Sequence, residues 1–359
     1  MAADNLAAIL PALSQTFSKR LIKAYNRQAL TASVLTVEDE QGQGDAKQVA
    51  WDVTFSGATA ASFAEGSDVA ASEFNQDPLV PAVLPWGQYR APFKLSNLEI
   101  NAGSRSIANA TQLAGLVGLR LEGSLTKIMS LINNDVINGT GVDGAGNPTI
   151  TGIIPALSST GTYAAIAKGT YPEWAGNQLG NGGVLRPLTF DLLANAEQNI
   201  FQASGLEFDA ILTTAGICRK YEGMFQVGQR TVNDGGSPVN AYQGSTSQGV
   251  TGTKTNLFWR GKPIIRDRNM PAGTMILVNF GEMFIKPLAF NPLSPDGVQV
   301  QQASMPSSNG SVSAPTGLQC VVYPLARIGS YVAFAAEVYI QLKVSRVNAH
   351  ALVQDISEA

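Results

Sequence analysis

The stretch Val136-Ile137-Asn138-Gly139-Thr140-Gly141, closely followed by Gly144-Ala145-Gly146-Asn147-Pro148 and Gly152-Ile153-Ile154, decides the fold of this chain. Upstream of it, apolar residues recur at steps of three or four, a period typical of one face of an α-helix. These residues are Leu113, Val117, Leu121, Leu125, Ile128, Ile132 and Val136. Glycines follow the last of them, where a left-handed helix cap needs no Cβ. The pattern predicts a long helix that ends at the glycines, and Asn109 with Gln112 suggests a capping box at its start.

The same glycines form a literal G-x-G-x-x-G over residues 139–144. In a dinucleotide-binding fold, a strand runs into these glycines and a helix leaves them, so that the helix N-terminus faces the pyrophosphate. Here the predicted helix enters, and a loop containing Pro148 leaves. We therefore interpret residues 139–144 as a loop that terminates a helix, and not as a nucleotide site.

The composition favours a protein that associates with others. Hydrophobic residues make up 45% of the 359 residues and charged residues only 14%, so much of the surface is expected to be apolar, neutral or covered. The net charge of −3 argues against a dedicated polyanion-binding surface. Cys218 and Cys320 form no metal motif, and we expect buried thiols in a reducing compartment. We expect neither a signal peptide nor a membrane anchor.

The N-terminal segment carries the clearest basic stripe. Residues 13–30 predict an amphipathic helix with Phe17, Leu21 and Ala24 on one side. On another side lie three basic residues spaced by four: Lys19, Lys23 and Arg27. Such a stripe is either a solvated face or a contact with phosphates or an acidic partner. The acidic and flexible residues up to Asp45 then indicate a turn or a boundary.

An extended excursion follows this boundary. Apolar and polar residues alternate from Val49 to Phe55, with Trp51 among them, which is the period of a half-buried strand and of one arm of a hairpin. Four prolines then mark an extended return, namely Pro78, Pro81, Pro85 and Pro92. Because an excursion of about forty residues is unusual inside a compact domain, we expect it to lie on a neighbouring subunit.

The second half of the chain predicts a mixture of helices and strands. We expect irregular loops or short strands over 155–186 and helices at 189–203 and 214–224. Strands are predicted at 210–212, 257–266, 274–280, 318–327 and 330–345. No internal repeat is evident.

The residues that carry common catalytic chemistry are sparse. His350 is the only histidine and sits near the C-terminus, so we expect no Ser/His/Asp triad, Cys/His pair or multi-histidine metal site, and we expect this histidine at the surface. Residues 249–255 resemble a phosphate loop but lack the glycines that a Walker A motif needs. We expect no enzyme activity, metal or cofactor. A carboxylate pair brought together by folding stays open.

A series of short motifs occurs in an order that matches a known family. The first are Ala64-Glu65-Gly66, Ile137-Asn138-Gly139-Thr140-Gly141, Pro148 with Gly152-Ile153-Ile154, and Thr189-Phe190-Asp191-Leu192-Leu193. The later ones are Gly261-Lys262-Pro263-Ile264-Ile265, Arg268-Asn269-Met270-Pro271-Ala272-Gly273 and Val344-Ser345-Arg346-Val347-Asn348-Ala349. Together they resemble the major capsid proteins of tailed double-stranded DNA bacteriophages with the HK97 fold.

The resemblance implies an α+β HK97-like capsid fold with five regions. These are an N-terminal arm (1–45), an extended β-hairpin loop (46–95), a peripheral domain with a long spine helix (96–154), an axial domain (155–325) and strands that return to the peripheral domain (326–359). It also implies hexamers and pentamers that form an icosahedral shell around the phage double-stranded DNA. The protein would reside in the virion after assembly in the host bacterial cytoplasm.

The resemblance further implies partners and contact residues. The expected partners are other copies of the chain, a portal protein, a separate scaffolding protein, a possible cement or decoration protein and DNA held by non-specific contact, with no membrane. Residues 1–45 are too short to include the scaffolding segment that some relatives carry. Our own expectation for the intersubunit contacts is Trp51, Glu65, Arg90, Lys19, Lys23 and Arg27, with local packing or solvated surface as the alternative for each.

Some members of the family join their subunits by an isopeptide bond. A Lys of the extended loop of one subunit reacts with an Asn of another, assisted by a Glu, and Glu337 lies roughly where that Glu would fall. Residues 51–89 contain no Lys, so we predict a shell without such bonds.

Two other functions stay open on the sequence alone. An encapsulin-type nanocompartment shares the fold but packages a cargo enzyme in place of a genome, and fold alone does not settle function. A secreted β-rich binding module or a hidden glycosidase belongs to a different class. Monomeric behaviour in solution would favour that second class.

Overall fold

A computed structural model describes residues 30–37, 47–55, 62, 65, 79–103, 107–229, 257–288, 301–304, 319–325 and 329–359. The α-helices within these residues are α1 (Leu30–Val34), α2 (Asn97–Gly103), α3 (Ile107–Asn138), α4 (Ile153–Leu157), α5 (Phe190–Ser204) and α6 (Ala215–Gln229). Helix α3 is the spine helix. Short 3-10 turns occupy Pro172–Trp174, Phe280–Glu282 and Val347–Ala349.

The strands divide between the two halves of the chain. Those before helix α5 are β1 (Thr36–Val37), β2 (Gln48–Thr54), β3 (Leu79–Pro85), β4 (Gly87–Ser96), β5 (Thr140–Val142), β6 (Pro148–Thr151), β7 (Thr162–Tyr163), β8 (Ile166–Ala167) and β9 (Asn177–Leu179). Those after it are β10 (Ala210–Thr213), β11 (Phe258–Trp259), β12 (Lys262–Arg266), β13 (Met275–Val278), β14 (Met283–Pro287), β15 (Gln301–Ser304), β16 (Gln319–Pro324), β17 (Tyr331–Val344) and β18 (Ala351–Val353).

The spine helix spans 32 residues, about 48 Å at 1.5 Å per residue. Ile128, Ile132 and Val136 of its predicted apolar stripe are buried in the larger of two hydrophobic cores. The helix ends at Asn138, directly before the glycines, as predicted. It begins at Ile107, so the predicted start at Asn109 is wrong and this residue lies inside the helix.

The larger core also contains a six-stranded sheet in the order β1-β14-β17-β16-β15, with β4 paired to β17. Strand β17 organises this sheet because its 14 residues pair with three neighbours. The β4–β17 ladder is antiparallel and runs from Tyr331 opposite Ser96 to Ile340 opposite Gly87. A run of ten facing pairs therefore ties the segment before the spine helix to the end of the chain.

The second sheet has the order β11-β12-β10-β13-β18-β9. All residues of β10, β13 and β18 are buried, as expected for central strands covered on both faces. Helices α5 and α6 contribute Leu193, Ile200, Ile217 and Tyr221 to the smaller core on this sheet. Helix α5 begins where Thr189 Oγ1 accepts a hydrogen bond from Leu192 N at 3.2 Å, the usual role of an N-cap threonine.

The predicted regular elements of the second half are confirmed at 189–203, 210–212, 214–224, 274–280, 318–327 and 330–345, with shifts of a few residues at their ends. The predicted strand at 257–266 is a tight pair, β11 and β12. Strands β14, β15 and β18 were not predicted. Among the described residues, no helix is long and apolar enough to cross a membrane.

Sheet membership does not follow the predicted region bounds. Strands β14, β15 and β16 come from the predicted axial range 155–325 but share a sheet with β4 and β17. Strand β18 comes from the predicted return segment 326–359 but lies in the second sheet, between β13 and β9. The chain thus crosses between the two sheets more often than the five regions imply.

Candidate assembly interface

The structure shows the base of the predicted extended hairpin. Strands β2 and β3 pair antiparallel from Gln48 opposite Pro85 to Thr54 opposite Leu79. They form a sheet of two strands in the described residues, so prolines can occupy β3 on its unpaired edge. Val83 N donates a hydrogen bond to Ala164 O at 2.9 Å, which attaches the hairpin to the turn between β7 and β8.

An aromatic cluster fixes the hairpin base to the body of the same chain. The ring of Phe55 stacks on Tyr171 with centroids 4.3 Å apart and meets the edge of Trp174 at 5.7 Å. Tyr163 lies 5.8 Å from Trp174 and 6.5 Å from Trp51. Such aromatic pairs add to the stability gained from apolar burial. The base of the hairpin thus packs on its own chain, and the expected contact with a neighbouring subunit falls on the remainder of the loop, residues 56–78. Of these residues, the structure describes only positions 62 and 65.

The residues predicted to contact other subunits have different surroundings. Trp51 is half-buried within its own chain, with Lys343 Nζ 5.9 Å from the centre of its ring. Glu65 is exposed. The basic stripe, Lys19, Lys23 and Arg27, lies outside the described residues. Of the three predicted contact residues that the structure describes, Trp51 thus packs against its own chain, and Glu65 faces solvent.

Arg90, the remaining predicted contact residue, lies opposite Glu337 on the β4–β17 ladder. The Arg90 side chain is 63% exposed, and its guanidinium donates a hydrogen bond to Glu337. The hydroxyls of Tyr323 and Tyr339 also donate to this carboxylate. Burial, together with the hydrogen bond to Glu337, raises the pKa of Tyr323 to about 12. Both carboxylate oxygens of Glu337 are thus engaged by groups of its own chain.

The glycines after the spine helix allow close backbone contacts. A Cβ on Gly139 would lie 2.2 Å from Ile150 O, and one on Gly152 would lie 2.6 Å from Asp135 O. Gly152 N donates to Gly139 O at 2.7 Å. Strand β5 begins at Thr140, directly after Gly139, so the arrangement is a helix followed by a strand. The interpretation of the G-x-G-x-x-G pattern as a helix-terminating loop is confirmed.

A buried carboxylate, which the sequence did not indicate, joins three distant segments. Asp267 Oδ2 accepts hydrogen bonds from Thr31 N at 3.0 Å, Thr31 Oγ1 at 2.7 Å and Asn133 Nδ2 at 3.0 Å. Asn133 Oδ1 in turn accepts from Ala32 N at 3.0 Å. Asp267 Oδ1 accepts from Asn269 N at 2.8 Å. This Asp267 clamp fixes helix α1 against the spine helix.

A cavity of about 640 Å³ opens at the end of the spine helix. Its walls come from β4, the last two turns of the spine helix, the β5–β6 hairpin and β17, and we call it the spine-end groove. Its lining includes Arg90, Leu131, Asp135, Val142, Asp143 and Glu337.

Two carboxylates of the groove are held in place within the chain. Asp135 Oδ2 accepts a hydrogen bond from the Tyr89 hydroxyl at 2.9 Å, and burial raises the pKa of Asp135. Asp143 accepts from Asn147 Nδ2, Asn147 N and Ala145 N, each at 2.8 Å, and these bonds, led by the one from the Asn147 side chain, lower the pKa of Asp143. Both side chains are therefore positioned before any partner binds.

The remaining chemically notable residues serve packing. His350 is fully buried, so the prediction that it lies at the surface is wrong. It is covered because the end of the chain enters the second sheet. Its Nδ1 accepts from Asn279 N at 3.1 Å. Cys218 and Cys320 are buried thiols, as predicted. Within the described residues, no group of three or more His, Cys, Asp or Glu side chains could hold a metal ion.

Comparison with protein families finds one model that matches. The model is described as the SU10 major capsid protein and matches residues 120–304, just over half of the 359 residues. The matched region contains the last part of the spine helix, its glycine loop and the whole second sheet except β18. No curated protein matches the sequence.

Solved structures share the fold over nearly the whole chain. A chain of the cyanophage A-1(L) capsid has a TM-score of 0.73 at 17% identity, covering 96% of this chain and 97% of that chain. A capsid chain of a native GTA particle has a TM-score of 0.54 at 13% identity, covering 96% of both. The SrpI encapsulin of Synechococcus elongatus PCC 7942 also has a TM-score of 0.54, at 12% identity, covering 98% and 96%. The predicted HK97-like capsid fold is confirmed.

Proposed function

The chain belongs to the SU10 major capsid protein family, and from this premise we propose that its copies form hexamers and pentamers that close into an icosahedral shell around double-stranded DNA. It is a phage major capsid protein. The observation that carries the proposal is the family match over residues 120–304, together with the capsid fold shared with the cyanophage chain over 96% of this chain and 97% of that one. Closed symmetry uses the same surfaces in every copy.

Several features of the chain support assembly over catalysis. The family is one of structural proteins, and we propose that the chain catalyses no reaction. Only 14% of the residues are charged, which suits a subunit whose surface is covered by neighbours. Trp51, Glu65, Arg90 and the basic stripe stay our proposed contacts between subunits. For Arg90 the support is its exposed guanidinium, which can bond to a neighbour while it stays paired with Glu337.

The proposed partners follow from the same role. A shell that admits DNA needs a portal, and we propose that scaffolding comes from a separate protein. A cement protein on the outer surface is a further proposed partner. DNA contacts are proposed to be non-specific because the net charge of −3 provides no strong attraction for phosphates. Assembly is proposed in the host cytoplasm, and the mature protein resides in the virion.

The content of purified particles tests the proposal. Particles from infected cells should contain nuclease-protected double-stranded DNA of one length, with no co-purified enzyme in stoichiometric amount. The similarity to the SrpI encapsulin makes a protein-filled compartment the alternative. Particles that carry a single enzyme and no protected DNA would favour that alternative over the phage role.

A further inference from the structure

The spine-end groove combines apolar and acidic surface. Leu131 and Val142 line it and are 51% and 55% exposed, although large aliphatic side chains gain free energy when they leave water. Asp135 and Asp143 also line it, and from the described residues their carboxylates accept hydrogen bonds only from neutral groups. A cation brought to these carboxylates is attracted without first breaking an ion pair. An occupant that fits this wall is therefore both amphipathic and basic.

A segment with this chemistry lies directly before helix α1. Residues 13–30 predict an amphipathic helix with Lys19 and Lys23 on one side and Phe17 and Leu21 on another. The methylene stems of lysine side chains pack on apolar surface while their ammonium groups reach carboxylates. The segment joins the described part of the chain at the first residue of α1, so the position of α1 decides which surfaces the segment can reach.

The attachment of α1 holds one end of the segment beside the spine helix. The Asp267 clamp fixes Thr31 against the side of this helix that carries Asn133. Leu131 and Asp135 are each two residues from Asn133 along the helix and point about 200° away around it, towards the groove. A path around half of a helix of 10–12 Å diameter is about 16–19 Å long.

The length of the segment matches this path. Lys23 and Lys19 lie eight and twelve residues before Thr31. At about 1.5 Å per residue in a helix and at most about 3.6 Å per residue when extended, they reach about 12–29 Å and about 18–43 Å from it. The path crosses Ser130 and Asn134 of the spine helix, which are half-buried and exposed. Both lysines can therefore reach the groove of their own chain.

We propose that, in the unassembled subunit, the spine-end groove binds residues 13–30 of its own chain. Because the Asp267 clamp holds one end of the segment nearby, the effective concentration of the segment at the groove is of the order of millimolar. In a solution of subunits at about 1 µM, the same segment of a second copy is about a thousandfold more dilute. The tether therefore favours the chain's own segment over that of another copy.

The docked segment withholds its basic stripe from other copies. Lys19 and Lys23 are among the contacts that we propose between subunits, and they are occupied while the groove holds them. Release of the segment is then a step of assembly, and docking opposes premature association. This consequence rests on the proposed function, whereas the docking itself is a property of a single chain.

Photocrosslinking of the unassembled subunit tests the docking. A photoreactive phenylalanine analogue replaces Leu131 in the full chain, and equal amounts of ¹⁵N-labelled and unlabelled chains are mixed at about 1 µM, where the tethered segment dominates. Irradiation should link position 131 to a peptide within residues 13–30, in products that contain one isotope only. The same analogue in place of Leu98, which is 59% exposed and lies outside the groove, should give no such product.

Removal of the groove charges gives a second measurement. Asp135→Asn with Asp143→Asn keeps the shape of both side chains and removes both negative charges. The yield of the crosslink from position 131 should fall about tenfold, which corresponds to about 1.4 kcal/mol. Asp52→Asn with Asp191→Asn makes the same change in net charge at exposed positions outside the groove and should leave the yield unchanged.

Variants of the segment test the other side of the contact without altering the groove. Lys19→Glu with Lys23→Glu should lower the crosslink yield by at least about tenfold, because repulsion by the groove carboxylates replaces attraction. Lys47→Glu is the control, since Lys47 is exposed and lies directly before β2, and it should leave the yield unchanged.

The outcomes separate this inference from the proposed function. Products that contain both isotopes assign the groove to a second copy, and products outside residues 13–30 assign it to another segment. Either result overturns the docking and leaves the capsid role intact, as do equal yields from the two double-Asn variants. Failure of wild-type chains to form shells with their scaffold contradicts the proposed function, but not a one-isotope crosslink in the free subunit.

Discussion

Replacing Asp267 by Ala should destabilise the subunit strongly although it removes no apolar contact. The change leaves the donors Thr31 N and Asn133 Nδ2 without an acceptor, and both residues are fully buried. An unpaired buried donor costs about 1–3 kcal/mol, so the two together predict a loss of about 2–6 kcal/mol in the free energy of unfolding. Thr31 Oγ1 can rotate towards another acceptor and is left out of this sum.

Urea unfolding of the unassembled subunit, followed by tryptophan fluorescence, measures the loss. Asp52→Ala is the matched control, because Asp52 is exposed on β2 and should change stability by no more than about 0.5 kcal/mol. Trypsin should also cleave near Arg27 and Lys47 faster in the Asp267 variant, since helix α1 loses its attachment. Equal stability of the two variants would refute the assigned role of the clamp.

Four further outcomes follow from the structure. Gly152→Ala should cost about 1–3 kcal/mol or more by overpacking, since its Cβ meets backbone atoms, while Gly144→Ala, with open space around it, should be neutral in the same urea assay. Burial lowers the pKa of His350 to about 3, so the unfolded chain binds the extra proton below pH 6.5. Stability should therefore fall by about 1.4 kcal/mol per pH unit from pH 6 to pH 4, and His350→Gln should reduce that slope in urea titrations. Arg90→Ala should cost less than about 1 kcal/mol in subunit stability, because its ion pair is largely exposed, yet lower particle yield if it contacts a neighbour. Denaturing gels of particles should show single chains, and a ladder of covalent multimers would contradict the absence of crosslinks.

Features set by neighbouring residues could be predicted from the sequence. The end of the spine helix at Asn138, its glycine loop and the N-cap at Thr189 depend on contacts within a few positions, so residue type and spacing identify them. The alternation around Trp51 likewise predicted β2. These local signals predicted the elements correctly, and the order of the motifs along the chain indicated the family.

Features set by folding could not be read in this way. Asp267 and Thr31 are 236 positions apart, and Arg90 and Glu337 are 247 apart, so no local period joins them. The burial of His350 depends on β18 pairing with β13 in the second sheet, a choice that the sequence of residues 351–353 does not reveal. The spine-end groove likewise needs four elements brought together by tertiary packing.

Electron microscopy combined with size-exclusion chromatography tests the central claim most directly. The chain, purified from virions or coexpressed with its scaffolding protein, should elute as capsomers or shells and show five-fold and six-fold arrangements of subunits that accommodate this fold. A stable monomer under both conditions, with no ordered assembly in the images, would contradict the assignment of this chain as the subunit of a capsid.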